Sequence, residues 1–199
     1  MRMKFTPEKI ESLNKNEIFV FGSNIQGEHV GGAALAAVKA FGAKPLQGFG
    51  LQGSSYAIPT CVRLWKLNKY NEPIFKLTKP FANVEQIKPY VEAFISDAKA
   101  MKGLTFYVTK IGCGIAGFKV NEIAELFRPC LDMENVILPK EFVEWLLYPI
   151  VISAANNRGL VSGKDYDDDL LMVYVLPRLE IMSIDDALDE FEREDPIFD

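Results

Sequence analysis

Short apolar runs alternate with small-residue or amphipathic segments through the first three quarters of the chain. Four of these runs predict buried strands, at residues 17–21, 56–60, 105–109 and 136–138. Helical spacing or small residues predict helices at residues 32–41, 84–102, 120–127 and 140–147. Strands that alternate with helices in this way indicate an α/β layered domain.

The pattern changes in the last quarter of the chain. Residues 149–153 and 170–175 each form an apolar run that predicts a strand, and a polar stretch rich in glycine and aspartate separates the two. Ser183, with Asp186 three residues later, predicts the start of a last helix over residues 184–193.

Charge divides the chain at a similar point. Residues 1–164 carry 20 Lys and Arg against 14 Asp and Glu, whereas residues 165–199 carry 2 against 13. We therefore predict one domain over residues 1–147 and an acidic α+β extension over residues 148–199. The acidic end is interpreted either as a solvated face or as a surface for a protein partner.

Composition narrows the class of protein. With 49% hydrophobic and 25% charged residues among 199, the chain is typical of a soluble globular protein. Cys61, Cys113 and Cys130 have neither metal-ligand nor disulfide spacing, so no metal is expected. The first residues lack a signal peptide and no apolar run reaches about 18 residues, which predicts a cytoplasmic protein without a membrane span. We identify no basic, aromatic-interleaved pattern that would indicate a nucleic-acid surface.

Two glycine-rich turns carry the candidate chemistry. One follows the first predicted strand at residues 21–32, and the other follows the third at residues 111–118. Glycine lets the backbone approach a ligand closely, and the N–H groups at the start of a following helix suit phosphate. Two such turns on one parallel sheet would suit a ligand with two phosphates. Neither turn has the ending of a nucleotidase P-loop or the spacing of a dinucleotide fingerprint.

Four segments, in order, resemble a divergent macrodomain of the phage and bacterial branch. FGSN at residues 21–24 stands where the family usually has Asn-Ala-Ala-Asn, and residues 27–34 resemble its first glycine-rich loop and helix. LQGSSYAIPT at residues 51–60 resembles its Tyr-Val-Ile-His-Thr-like strand, and IGCGIAGF at residues 111–118 is similar to its second loop. The resemblance implies a three-layer α/β/α fold with a mixed sheet, and ADP-ribose or a related nucleotide diphosphate derivative as the ligand.

The resemblance also implies a set of ligand-binding residues. In the first loop they are Gly22, Ser23, Asn24, Gly27, Gly31 and Gly32. In the second they are Gly112, Cys113, Gly114, Ile115, Ala116, Gly117 and Phe118. Asn24 would bind a ribose hydroxyl or orient water, although an Asn at a turn also stabilises the turn itself. Cys113 is interpreted as a small residue filling space, with a nucleophilic thiol as the alternative.

Catalysis is a second hypothesis. An ADP-ribosyl hydrolase would use Asn24 to orient water and His29, the sole histidine, as the proton carrier. Hydrolytic members of the family commonly place an Asp in the first loop, where this chain has Gly31, so binding is favoured over hydrolysis. A third hypothesis is an interaction protein that acts through residues 165–199. No cofactor is expected in any of the three.

Overall fold

A computed structural model describes residues 4–194 of the chain. Within them lie seven strands: β1 Phe5–Thr6, β2 Glu17–Asn24, β3 Gly50–Gln52, β4 Ser55–Leu67, β5 Pro73–Pro80, β6 Thr105–Val108 and β7 Val136–Pro139. The helices are α1 Gly32–Ala40, α2 Lys88–Ala100, α3 Val120–Leu126, α4 Lys140–Asn157, α5 Asp168–Arg178 and α6 Ile184–Glu194. The described residues form two compact units, residues 6–142 (the sheet unit) and residues 143–194 with residues 4 and 5 (the helical unit).

The sheet is mixed and mostly parallel. Its strand order is β1-β7-β6-β2-β4-β3, and β5 pairs with the outer part of β4. β2 runs parallel to both β4 and β6, and β6 runs parallel to β7. β3 and β5 are antiparallel to β4. The chain therefore belongs to the α/β class, as its alternating pattern predicts.

Helix α1 covers one face of the central strand. Phe19 and Phe21 point to the same face of β2 because side chains alternate along a strand. Both pack in a buried cluster with Ala34, Ala37 and Phe41. The two alanines belong to α1, and their small side chains let the helix lie close to the sheet. The ring centroids of Phe19 and Phe41 are 4.6 Å apart.

Helix α2 covers the opposite face. Tyr56 of β4 is the register partner of Val20, whose side chain points away from the α1 face. The ring of Tyr56 lies 5.1 Å from that of Phe94 in α2, and Phe94 lies 5.5 Å from Phe106 of β6. A sheet with both faces buried explains why its central strands are continuously apolar rather than alternating.

The four predicted strands and the helices predicted at residues 32–41, 84–102 and 120–127 lie where the pattern places them, with small shifts at most of their ends. The helix predicted at residues 140–147 continues to Asn157. Strand β4 continues past residue 60 to Leu67 and pairs with β5. This hairpin and the short strand β3 are not predicted from the sequence. Beyond Cys61 the side chains of β4 and β5 are mostly exposed, so no burial period marks these strands.

The prediction of two strands near the C-terminus is wrong. Residues 149–153 lie inside α4 and residues 170–175 lie inside α5, so the described part of the extension is helical rather than α+β. Its buried positions repeat with helical spacing, as Val151 and Ala155 show. A short apolar run is compatible with either a buried helix or a buried strand, so the sequence pattern alone does not distinguish the two.

The last helix is confirmed at its predicted start. Ser183 Oγ accepts a hydrogen bond from the Asp186 backbone N–H at 3.1 Å, and the Ser183 hydroxyl also donates to the Asp186 carboxylate at 2.7 Å. The predicted domain boundary at residue 147 lies inside the continuous helix α4. None of the helices in residues 4–194 has the length and apolar composition needed to cross a membrane.

Arg158 neutralises part of the acidic charge within the helical unit. Its guanidinium lies 3.4 Å from the carboxylate of Asp185 and 3.2 Å from that of Glu192, and it also pairs with Asp189. These carboxylates lie on α6, one turn or so apart. Much of the negative charge in α6 is therefore arranged around a single arginine rather than left evenly along the helix.

Candidate functional site

A cleft opens at the carboxyl ends of the parallel strands β2 and β6. Its cavity volume is about 200 Å³. We call residues 24–31 loop 1 and residues 109–118 loop 2, since each follows one of these strands and leads to a helix. The wall comprises Gly22, Ser23, Asn24, Glu28, Val30, Gly31, Gly32, Ala33, Ala34, Thr60, Cys61, Arg63, Thr78, Thr109, Lys110, Ile111, Gly112, Gly114, Ile115 and Ala116. Clefts at this edge of an open α/β sheet are where such folds bind ligands.

Loop 2 presents a row of unpaired backbone donors. Its turn is closed by hydrogen bonds of 2.9–3.2 Å donated by the N–H groups of Cys113, Gly117 and Phe118. After Ile111, four further N–H groups of this loop have no acceptor within the described part of the chain. They belong to Gly112, Gly114, Ile115 and Ala116, all of which line the cleft. Successive free N–H groups in a turn form a concavity suited to an anion.

The N-terminus of α1 supplies a second set of donors. Gly31 is the N-cap of α1 and has no side chain that could cap the helix. The first turn of α1 contains no acidic residue. The first bond that closes the helix is donated by Leu35, so the N–H groups of residues 32–34 stay without a protein acceptor. These residues line the cleft. The positive end of a helix dipole at this place adds to its affinity for anions.

The two loops approach each other across the cleft. A Cβ atom placed on Gly31 would lie 3.9 Å from Cδ1 of Ile115, which is ordinary contact distance. Ile115 of loop 2 and Val30 of loop 1 both expose most of their side chains. The mouth of the cleft is therefore bordered by an apolar side chain from each loop.

Two cationic side chains line the cleft, and the sequence analysis does not identify either of them. Arg63 Nε lies 3.3 Å from the Glu28 carboxylate without hydrogen-bond alignment, and Lys76 pairs with the other oxygen of Glu28. Lys110 Nζ lies 2.7 Å from the Glu141 carboxylate, and this hydrogen bond raises the pKa of Lys110. Arg63 belongs to the unpredicted part of β4, and an isolated lysine such as Lys110 gives no sequence signal.

The side chain of Asn24 holds loop 1 in shape. Its Nδ2 donates to the Glu28 carbonyl at 2.8 Å, and its Oδ1 accepts from the Glu28 N–H at 3.0 Å. The backbone N–H of Gly27 also donates to the Asn24 carbonyl at 2.9 Å. Asn24 lines the cleft, yet both ends of its amide are engaged in this turn, which is the turn-stabilising role of an asparagine.

A segment outside the cleft braces loop 1 from behind. A Cβ atom on Gly27, whose φ is +67°, would lie 2.3 Å from the backbone nitrogen of Gln47. A Cβ on Gly48 would lie 2.4 Å from the carbonyl oxygen of Asn24. The Ser23 hydroxyl donates a hydrogen bond to the Gly48 carbonyl. Backbone therefore packs directly on backbone here, and only glycine permits that distance.

His29 is buried away from the cleft wall. Its Nε2 lies 3.2 Å from the Gln47 carbonyl oxygen, and its ring meets Phe21 edge to face at 5.2 Å between centroids. Nδ1 has no hydrogen-bond partner in the described structure. Burial lowers the pKa of His29, which favours the neutral ring.

Five of the residues predicted at the site do not line the cleft, namely Gly27, His29, Cys113, Gly117 and Phe118. The cleft does bring together the other predicted residues, from Gly22 and Ser23 of β2 to Ala116 of loop 2. Burial raises the pKa of the Cys113 thiol to about 11, which keeps it protonated and weakly nucleophilic near neutral pH.

We expect the free energy of unfolding to fall as the pH falls through about 6.5, the ordinary pKa of histidine. Burial lowers the pKa of His29 in the folded chain, so below that pH the unfolded chain binds more protons than the folded one. Urea unfolding between about pH 7.5 and 5.5 measures this. His29 is the sole histidine, so His29→Gln should flatten the slope in that window. An unchanged slope in the variant would contradict the assignment.

Comparisons with protein-family models, with curated proteins and with solved structures give no significant match to this chain. Residues 4–194 contain no group of three or more His, Cys, Asp or Glu side chains placed to hold a metal ion. The function of the cleft is therefore inferred from its own donors, charges and shape.

Proposed function

We propose that the sheet unit is a divergent macrodomain whose cleft binds ADP-ribose or a related nucleotide diphosphate derivative. The observation that carries this proposal is the row of four loop 2 N–H groups without a protein acceptor, in the same cleft as the uncapped N-terminus of α1. Gly112 and Ala116 are buried residues, and buried N–H groups are normally paired, so a ligand that supplies acceptors is expected.

A diphosphate matches this arrangement in charge and in number of acceptors. Its oxygens would accept hydrogen bonds from loop 2 on one side and from the first turn of α1 on the other. Arg63 shares the Glu28 carboxylate with Lys76, and Lys110 pairs with Glu141, so the cleft lining holds two cations and a single carboxylate. The apolar side chains of Val30 and Ile115 would cover the sugar and exclude water from the phosphates.

Binding is better supported than hydrolysis. Both polar ends of the Asn24 side chain already hydrogen-bond the Glu28 backbone, which leaves each end one further bond and ties the orientation of the amide to the loop 1 turn. His29 lies behind loop 1 rather than in the cleft, and its lowered pKa reflects burial. Gly31 stands where hydrolytic macrodomains commonly have an acid. The proposed role is therefore recognition, with the diphosphate as the principal determinant.

Isothermal titration calorimetry of the purified protein with ADP-ribose tests this function. AMP, NAD and ribose 5-phosphate serve as comparators, because each retains only part of the ligand or alters one end of it. We expect saturable binding of ADP-ribose with an affinity at least about tenfold above that of AMP and of ribose 5-phosphate, since both lack the diphosphate. Equal affinities for all four compounds, or no heat from a cooperatively folded sample, would contradict the proposal.

A further inference from the structure

The hairpin formed by the outer part of β4 and by β5 has no role in the sheet core. We call residues 62–80 the outer hairpin. It carries five Lys and Arg residues against one acidic residue, Glu72. Most of its side chains from Leu64 onward are exposed, including Leu64, Leu67, Ile74 and Leu77. A basic, apolar two-stranded surface of this kind is unusual without a partner.

Three aromatic rings of the outer hairpin are open to solvent. Trp65 is 55% exposed, Tyr70 is 70% exposed and Phe75 is 45% exposed. Each ring has a lysine ammonium near its face. The distances from Nζ to the ring centroid are 5.1 Å from Lys76 to Trp65, 4.8 Å from Lys69 to Tyr70 and 5.6 Å from Lys66 to Phe75.

Strand pairing creates these combinations. Trp65 lies opposite Lys76, and Lys66 lies opposite Phe75, so each pair has one member on each strand. Directly opposite residues in an antiparallel ladder share a face. The members of these two pairs are about ten residues apart in the chain, and residues 63–79 hold five basic residues and three aromatic rings, so the outer hairpin is a basic and aromatic segment that the sequence analysis does not identify.

The positive charge of the outer hairpin is only partly neutralised. Arg63 and Lys76 pair with Glu28, as described for the cleft. Lys66, Lys69 and Lys79 form no ion pair with any residue in the described range 4–194. Three ammonium groups therefore remain available, and those of Lys66 and Lys69 lie beside exposed rings.

We propose that the outer hairpin binds single-stranded nucleic acid. Exposed bases would stack on Phe75 and on Tyr70 at the turn, and the backbone phosphates would take the ammonium groups of Lys66 and Lys79, which share the face of Phe75, and of Lys69 beside Tyr70. The positive charge of the outer hairpin complements a polyanion, which indicates a nucleic acid as the class of partner. A duplex hides the faces of its bases, and an acidic protein surface would use the lysines but not the rings, so a single strand fits the pairing of ring and cation most closely.

One face of the outer hairpin continues the wall of the cleft. Arg63 and Thr78 are register partners and both line the cleft. Trp65 lies two residues further along β4, so its side chain points to the same side, about 7 Å beyond Arg63 along the strand. Phe75, Lys66 and Lys79 occupy the opposite face of the hairpin, so a single strand bound there lies apart from the cleft and its binding does not depend on the proposed nucleotide ligand.

Fluorescence anisotropy with labelled oligothymidine and oligouridine, each of about 20 nucleotides, tests the inference. We expect saturable binding at low salt and a slope of about −2 for log K against log salt, as three phosphate contacts on a single strand require. The triple variant Lys66→Ala, Lys69→Ala, Lys79→Ala should bind about tenfold or more weakly. The two oligonucleotides distinguish DNA from RNA as the preferred strand.

A matched control separates the outer hairpin from net charge. The triple variant Lys15→Ala, Lys39→Ala, Lys102→Ala removes the same charge from exposed lysines elsewhere in the sheet unit. It should bind the oligonucleotides within about twofold of the unaltered protein. If it loses as much affinity as the hairpin variant, the binding is nonspecific attraction and the inference is wrong.

Stacking has its own readout. Phe75→Ala removes the ring on the face of Lys66 and Lys79, and it should weaken oligothymidine binding by about tenfold. Trp65→Ala removes a ring from the opposite face, and it should bind within about twofold of the unaltered protein. Full affinity in Phe75→Ala would overturn the stacking role.

Two further outcomes would overturn the inference. The first is no binding to either oligonucleotide by the folded protein. The second is self-association of the protein in sedimentation, with no oligonucleotide binding, that the triple variant Lys66→Ala, Lys69→Ala, Lys79→Ala abolishes. That result would make a second copy of this acidic chain the partner of the outer hairpin. Gly114→Glu in loop 2 should leave oligonucleotide binding intact, so failure of the cleft proposal and failure of this one are distinguishable.

Discussion

The variant Gly114→Glu should lose ADP-ribose binding by at least about 100-fold, or roughly 3 kcal/mol, while the fold is retained. A Cβ atom at this position would have no atom within 4 Å, and the residue does not need a positive φ. The new side chain therefore fits without strain. Its carboxylate would compete for the free N–H groups of loop 2 and would repel the phosphates.

Two comparisons make this result specific. Gly114→Gln adds a similar volume without charge and should lose less affinity than the glutamate variant. Gly103→Glu places the same charge at another open glycine position outside the cleft, and it should bind as the unaltered protein does. Calorimetry gives the affinities, and thermal unfolding checks that all three variants fold. A folded Gly114→Glu protein with full affinity would remove loop 2 from the site.

The variant Gly27→Ala should lower the free energy of unfolding by about 3–4 kcal/mol. Two costs add at this position. Gly27 has φ +67°, which an L side chain adopts at a cost of roughly 1–2 kcal/mol. Its new Cβ would also lie 2.3 Å from the backbone nitrogen of Gln47, which has no flexible end to move aside. Chemical denaturation of the variant measures the loss.

Gly117→Ala is the matched control for the second cost. Gly117 has φ +71°, but a Cβ there would have nothing within 4 Å. This variant should lose only the roughly 1–2 kcal/mol of the left-handed backbone. If the two variants lose equal stability, the close packing of loop 1 on residues 46–48 contributes nothing beyond backbone strain. Weakened ADP-ribose binding in Gly27→Ala alone would show that this packing also shapes the cleft.

These results would separate two tasks in loop 1. Asn24, Gly27 and Gly48 hold the shape of the loop through a side-chain amide and two close backbone contacts. Gly31 and residues 32–34 instead present the free N–H groups of α1 to the cleft. A ligand gains affinity from donors that are already fixed in place, because it does not have to order them on binding. The fixed contacts of Asn24, Gly27 and Gly48 thus keep the N–H groups of residues 32–34 in place for a ligand.

The local composition of the chain was sufficient to predict the two loops of the candidate site. Glycines at the ends of short apolar runs mark strand-to-helix turns, and a parallel arrangement brings such turns to one edge of the sheet. Arg63 and Thr78 could not be found in this way. Arg63 is half-buried and Thr78 is exposed, and the other side chains in this part of β4 and β5 are mostly exposed, so no hydrophobic period indicates a strand.

His29 and Asn24 show the limit of reasoning from residue type. A histidine in a glycine-rich loop suggests acid and base chemistry, but its burial against Phe21 and Gln47 depends on a segment about twenty residues away. An asparagine at the end of a strand suits either a ligand or its own turn. Hydrogen-bond geometry assigns both ends of its amide to the Glu28 backbone.

The sequence by itself determined the α/β class, the positions of the four central strands and the two glycine loops, because these follow from short-range periodicity and from the backbone freedom of glycine. Only the tertiary structure decided which loop residues face the cleft, that residues 149–153 and 170–175 are helical, and that lysines and aromatic rings meet across the outer hairpin. Those outcomes depend on contacts between residues distant in the chain, and such contacts leave no trace in a local pattern.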